Sequence, residues 1–289
     1  MSIKQSELIL NPDGSVYHLN LKPENIANDI IFVGDQDRVE SVSSHFDAIE
    51  FTTQKREFKT TTGTYRGKRL SVISTGIGPD NIDIVLNELD ALVNIDLKTR
   101  KLKAILTVLN IVRIGTSGSL QKDIPVDSFL MSTHALDLNG MLHSYQIEEI
   151  AHQEMENAFV KHTNWSPKKA HPILIKNSTV LAKKLMSEKI YTGITATAGG
   201  FYGPQGRVLR LPLQDATVNS KIDSFSWKGS RITNLEMETS AIYGLSQLLG
   251  HHAVSMNAII ANRADGTFSK DYKSVVHNLI EYSLSKLVE

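Results

Sequence analysis

The stretch Ile105-Leu106-Thr107-Val108-Leu109-Asn110-Ile111-Val112-Arg113-Ile114-Gly115-Thr116-Ser117-Gly118 decides the class of fold. Its nearly continuous apolar and β-branched character predicts a central strand covered on both faces, as the strands of α/β sheets are. It is too short, and too interrupted by Thr107, Asn110 and Arg113, to span a bilayer. Arg113, expected near the C-terminal end of this strand, needs a partner, because an unpaired charge there is costly. No acidic residue lies nearby in sequence, which leaves a distant carboxylate or a bound anion. Open α/β sheets bind ligands at the carboxyl ends of their strands, and Gly115 to Gly118 adds backbone donors and hydroxyls. The anion is therefore the favoured partner.

Working outward toward the N-terminus, Asp29 to Val33 reads as a short strand running into Gly34-Asp35-Gln36-Asp37-Arg38-Val39. A strand, a glycine turn and a helix start present backbone N–H groups to an anion. Arg38 in the first helical turn opposes the helix dipole unless such an anion sits there. Val16 to Leu21 alternates and is expected as an edge strand; His18 within it is, on its residue type alone, a surface histidine. Phe51 to Phe58 and Lys59 to Ser74 read as strands with a hairpin turn near Gly63 or Gly67. Gly76 and Gly78 form only a fragment of a dinucleotide fingerprint, lacking the third glycine, which argues against a dinucleotide-dependent oxidoreductase. The helix that follows places Ile82, Val85, Leu86, Leu89 and Leu92 on its apolar side.

Toward the C-terminus, Ile124 to Thr133 and Ile190 to Thr197 read as strands, Ser178 to Met186 as a helix, Val254 to Ala261 as a last strand and Lys270 to Val288 as a closing helix. His134, His143, His152, His162 and His171 lack metal-ligand spacing and are expected at the surface or as caps. The loop Ala198 to Arg207 contains Phe201, Tyr202, Gln205 and Arg207, residue types that can stack a planar heterocycle and hydrogen-bond its edge. A glycine- and proline-rich surface loop is the plainer reading. In Thr233-Asn234-Leu235-Glu236-Met237-Glu238-Thr239-Ser240-Ala241-Ile242-Tyr243-Gly244, Asn234 reads as a helix N-cap. Glu236 and Glu238 then fall in the first turn, either complementing the dipole or facing a pocket. Strands and helices alternate without linker, repeat or composition break, so residues 1–289 are expected to form one α/β domain.

The 289 residues are 41% hydrophobic and 21% charged, ordinary for a soluble enzyme. Lysine plus arginine and aspartate plus glutamate both total 31, so no polyanion-binding field is expected and nucleic acid is not an expected partner. The absence of cysteine excludes disulfides, thiolate metal sites and a cysteine nucleophile. Met1 to Asn11 has no apolar core of a signal peptide, so a cytoplasmic setting without membrane contact is expected, and the sequons at Asn164 and Asn177 are coincidental.

Seven motifs in order carry a resemblance: Gly34-Asp35-x-Asp37-Arg38, Arg56-Glu57-Phe58, Ser74-Thr75-Gly76-Ile77-Gly78, Arg113-Ile114-Gly115-Thr116, Phe201-Tyr202-x-x-Gln205-x-Arg207, Glu236-Met237-Glu238 and Asn262-Arg263. From about His18 to the last helix the chain resembles the hexameric-type nucleoside phosphorylases, and within them the uridine phosphorylases. The resemblance implies a three-layer α/β/α domain with a central mixed, partly barrel-like sheet, and an N-terminal arm (1–28) at the subunit interface. It implies a phosphate site of Gly34, Arg38, Arg113 and Thr116, with Arg56 reaching in from a partner subunit. Glu238 would hold the ribose hydroxyls beside Met237 and Thr116, and His18 of a partner the 5′-hydroxyl. Gln205 and Arg207 would read the uracil edge, with Phe201 against its face and Arg263 behind. Arg113, Glu238 and Arg207 are then the catalytic set. Glu57, Ile77 and Glu236 would lie near the interface or a monovalent cation site there. No metal or organic cofactor is implied; phosphate is a co-substrate, and the minimum unit is a homodimer, with a homohexamer left open.

This sequence departs from the family pattern in having Gln36 where proline is usual. Purine-specific relatives carry an aspartate after the last core strand; the resemblance aligns Arg263 with that place, with Asp265 two residues on. Were Asp265 in that place, a purine nucleoside phosphorylase would be the alternative. A nucleosidase of the same fold is disfavoured by the several phosphate arginines, and a non-catalytic nucleoside-binding protein by the intact Arg38, Arg113 and Glu238.

Overall fold

The computed structural model describes residues 2–289. In chain order, β1 (Asp29–Val33) leads into α1 (Gln36–Ser43), followed by the antiparallel β2 (Ala48–Lys55), β3 (Phe58–Tyr65) and β4 (Lys68–Ser74). Helix α2 (Pro79–Asn94), a small hairpin of β5 (Ile95–Asp96) and β6 (Lys101–Leu102), and the long β7 (Asn110–Ser119) and β8 (Phe129–Asp137) come next. Then follow α3 (Gln153–Thr163), β9 (Ile173–Lys176), α4 (Thr179–Leu185), β10 (Ile190–Thr197), α5 (Val218–Asp223), β11 (Ser226–Trp227) and β12 (Ser230–Glu236). The chain ends with α6 (Thr239–Leu248), β13 (His252–Asn262), β14 (Thr267–Phe268) and α7 (Tyr272–Val288).

One mixed sheet runs β11-β12-β10-β8-β13-β7-β1-β4-β3-β2. Strand β12 also pairs antiparallel with the end of β7, Asn234 opposite Ser119 and Leu235 opposite Gly118. That pairing closes β7, β13, β8, β10 and β12 into a ring, so the sheet is barrel-like on one side and open on the other. Alternation along the inner strands builds the layers. Ile30 and Phe32 of β1 and Ile111 of β7 enter the core beneath α2 and α6, with Leu86, Leu89 and Tyr243. Ile31, Val33, Val112 and Ile114 enter the opposite core with Val39 of α1 and Leu279 and Leu284 of α7. Both faces of these strands are buried, the condition that the apolar run around Arg113 demanded.

Several expected boundaries are corrected. The central strand begins at Asn110, so Arg113 is its fourth residue and not near its end. Ile105 is 85% exposed and the run before Leu109 does not enter the sheet, since pairing with β1 starts at Asp29 opposite Asn110. Strand β8 starts at Phe129, with residues 124–128 in the loop before it. Val16 to Leu21 is a turn and not an edge strand: Asn20 has a left-handed φ of 54°, and Val16 N–H donates to Leu21 O. The Glu88 carboxylate stabilises that turn by accepting the His18 and Leu19 N–H groups. The hairpin turn is at Gly67, with Gly63 inside β3, and a second tight turn at Arg56 and Glu57 splits β2 from β3.

The Asn234 reading is also overturned. Residues Ser230–Glu236 are a buried strand, and α6 starts only at Thr239. The Asn234 amide instead ties three strands together, accepting from Thr195 Oγ1 at 2.8 Å and donating to Ser117 Oγ at 2.9 Å. No helix among the described residues is long and apolar enough to cross a membrane.

Candidate active site

Three chain reversals meet over Arg113. The turn after β1 carries Gly34 and Arg38, the loop after β4 carries Ile77 and Gly78, and the end of β12 carries Glu236, Met237 and Glu238. With Thr116 to Gly118 of β7 and the loop residues Phe201, Gln205 and Arg207, all of these but Gly78 line a cavity of about 310 Å³. A larger cavity of about 800 Å³ lies beside it, with Arg207 between the two. Its walls include Trp165, Tyr202, the mostly apolar stretch 209–213 and Asp215, and it lacks Glu236, Glu238 and the Arg113–Arg38 pair.

The Arg113 side chain has two carboxylate partners. Its Nη2 lies 2.6 Å from Glu238 Oε2 and 3.2 Å from Glu236 Oε2, and its Nη1 donates to Asn257 Oδ1 at 3.1 Å. Within the chain, distant carboxylates thus partner Arg113. Burial works against the Arg113 cation, but Glu236 and then Glu238 outweigh it, so the guanidinium holds its proton more tightly than a free arginine. Burial likewise raises the Glu238 carboxyl above the ordinary glutamate value; Arg113 opposes this and Glu236 adds to it. Two carboxylates share one cation.

The two glutamates differ in what else they touch. Glu236 accepts the N–H groups of Glu238 and Thr239 and the Thr197 hydroxyl, so it caps α6 from the preceding strand. It is 4% exposed and sits inside this cluster. Glu238 accepts from the Gly78 N–H at 2.8 Å. That contact depends on Gly78, whose φ of 98° is costly for any residue with a side chain.

Arg38 is in the first turn of α1 as expected, and the Asp35 carboxylate both caps the helix through the Arg38 N–H and pairs with its guanidinium at 2.9 Å. Burial lowers the Arg38 proton affinity, with Asp35 acting the other way. Gly115 allows the Arg113 guanidinium its position: a Cβ there would fall 1.8 Å from Nη1. Gly115→Ala should therefore push the guanidinium aside without changing any charge. A displacement of about 1 Å can cost about 10² in rate, and turnover at this site should fall by about that factor while the fold persists.

The loop after β10 holds the aromatic and amide groups. Arg207 stacks on the Phe201 ring, 3.7 Å from its centroid, and donates to Gln205 Oε1. Phe201 is half exposed, and one face of its ring is covered by Arg207. Arg263 donates to the Gln205 carbonyl at 2.8 Å from behind, and its Nη1 is buried with no partner. Burial, then repulsion from Arg207, pushes the Arg263 guanidinium down to about 10.

Of the residues singled out from sequence, Gly34, Arg38, Arg113, Thr116, Phe201, Gln205, Arg207, Met237 and Glu238 come together around the cavity. His18 and Arg56 do not line it in this chain: His18 Nδ1 is held at 2.6 Å by Glu88, and Arg56 is exposed in the β2–β3 turn. Asp265 is turned to solvent, its carboxylate accepting from Thr267 N–H and Oγ1. Sequence reading missed Asn257, Asp35, the Gly78 N–H and Phe268. Asn257 left a signal as an amide in the middle of a largely apolar strand, and Asp35 and Gly78 as members of motifs to which no such contact was assigned.

The phosphorylase superfamily model matches residues 29–287, and the chain belongs to that family. It is 27% identical over 259 residues to a uridine phosphorylase of Thermococcus kodakarensis, covering 89% of this chain and 81% of the relative. It is 28% identical over 255 residues to that of Haemophilus influenzae, covering 86% of each. A DeoD-type purine nucleoside phosphorylase of Bacillus subtilis is 25% identical over 271 residues, covering 92% and 97%. Among solved structures, a Trypanosoma brucei nucleoside phosphorylase described as showing uridine phosphorylase activity superposes with a TM-score of 0.88. It is 28% identical, over 97% of this chain and 99% of that one.

Proposed function

We propose that the chain is a uridine phosphorylase, converting uridine and inorganic phosphate to uracil and ribose 1-phosphate in pyrimidine nucleoside salvage. The observation that carries this reading is the juxtaposition, around one cavity, of a paired arginine site and a carboxylate on one side with a Gln205–Arg207 pair on the other. Uridine phosphorylases are also among its relatives at both the sequence and structure level.

The roles follow from the chemistry. Phosphate enters at Gly34, Arg38, Arg113 and Thr116; planar guanidinium groups suit its oxygens better than ammonium groups do. On entry it takes over part of the Arg113 cation from Glu238. Glu238, held by the Gly78 N–H, is then free to accept from the ribose hydroxyls beside Met237 and Thr116. As the N-glycosidic bond lengthens, the ribose gains oxocarbenium character, stabilised by the approaching phosphate and by Glu238. Phosphate forms the new C1′–O bond while the bonding pair of C1′–N leaves on uracil. The uracil edge presents acceptor, N–H donor and acceptor. Gln205 complements two of these, and Arg207 donates to the carbonyl where negative charge collects. Phe201 takes one ring face once Arg207 swings off it, and Arg263 backs the pair. No organic cofactor is needed; a monovalent cation near Glu57 and Ile77 is part of the proposal only as an interface feature.

On this reading residues 1–289 form one catalytic domain of a cytoplasmic homo-oligomer, with a dimer as minimum unit. The arm before Asp29 and the β2–β3 turn carry His18 and Arg56 to a partner's site. Running the reaction backward tests the proposal: uracil plus ribose 1-phosphate should yield uridine and phosphate. Failure to form uridine, with hypoxanthine accepted instead of uracil, would reject it.

A further inference from the structure

A cluster away from the cavity joins two segments far apart in sequence. His45 follows the end of α1, its N–H donating to Val42 O. His277 and Glu281 are four residues apart on α7 and share a helix face. Each of the three offers a ligand atom, and these atoms all lie within 4.8 Å of one another. The two imidazoles are 5.3 Å apart with planes tilted by 34°. His45 Nε2 is buried without a hydrogen-bond partner, which an imidazole nitrogen avoids when it can.

We propose that His45, His277 and Glu281 bind one divalent transition-metal ion of the zinc class, clipping the end of α1 to α7. His277 Nε2 and Glu281 Oε1 are 3.5 Å apart. Two ligands about 2.0–2.1 Å from a tetrahedral ion are separated by about 3.4 Å, so this pair needs little adjustment. Two imidazoles and one carboxylate suit a borderline ion; magnesium and calcium prefer all-oxygen sets. The fourth position is left to water, and the exposed His277 and Glu281 give the ion an entry path. Arg38 is at the other end of α1, about 10 Å away at 1.5 Å per residue, so the ion acts on the helix pair and not on the chemistry.

The test is titration of the metal-stripped full-length protein with Zn²⁺ by calorimetry, with thermal unfolding in parallel. One equivalent should bind and raise Tm. His277→Ala, an exposed position that should fold normally, should weaken Zn²⁺ at least tenfold and remove the Tm shift. Glu281→Gln should weaken it less. Metal-free His277→Ala should keep wild-type phosphorolysis. Co²⁺ in place of Zn²⁺ should give visible absorption bands that the His277→Ala protein lacks. No bound equivalent, or unchanged Zn²⁺ binding in His277→Ala, would overturn the proposal.

Discussion

Replacing Arg113 with alanine should cut phosphorolysis severely and destabilise the fold at once. The guanidinium is the buried counter-ion of both Glu236 and Glu238. Removing it leaves two carboxylates in a dry cluster, and breaking a buried pair from one side typically costs about 3–5 kcal/mol. The Asn257 amide also loses its donor. For catalysis, loss of one preorganised donor costs about 10²–10³ in rate, and loss of a group that also frees Glu238 should reach at least the upper end. Phosphate-saturation kinetics and urea unfolding measure the two effects separately. Arg113→Lys should recover much of the stability and little of the activity, because an ammonium cannot bridge both glutamates and phosphate in one plane. An alanine variant with normal kinetics would remove Arg113 from the phosphate site.

Arg207→Ala should give the opposite signature. Arg207 rests on a half-exposed ring and a neighbouring amide, with no buried carboxylate depending on it. Stability should change little, while kcat/KM for uridine falls by about 10²–10³, the loss expected for a donor aimed at developing charge. Phosphate protection of the protein against thermal unfolding should persist. The contrast separates the two halves of the cavity: one variant loses phosphate, the other loses the base. Equal loss of phosphate protection in both variants would mean that the loop after β10 is not a base-reading element.

The contrast also shows which features were legible in the sequence. Strand Ile190–Thr197 has the ends the sequence indicated, and the helices α4 and α7 lie within two residues of their expected limits, because periodicity and burial agree there. The motifs around Gly34, Arg113, Gln205 and Glu238 were readable because their residue types carry chemistry. The boundary at Glu236 was not. Asn234 has the composition of a cap, yet a tertiary amide network across three strands overrides that local preference. Ile105, Leu106 and Val108 look like part of a core strand by composition but project to solvent. The counter-ions of Arg113 were invisible for a related reason: Glu236 and Glu238 reach it only because β12 folds back onto β7 and closes the ring.

Base release from uridine, inosine and adenosine, each with and without phosphate, tests the central claim most directly. Uracil released from uridine only when phosphate is present, with the purine nucleosides inert, is the expected result. Purine release would contradict the Gln205–Arg207 reading and send the search for a ring acid back to Asp265. Uracil release without phosphate would make the chain a hydrolase and leave Arg38 and Arg113 without their assigned task.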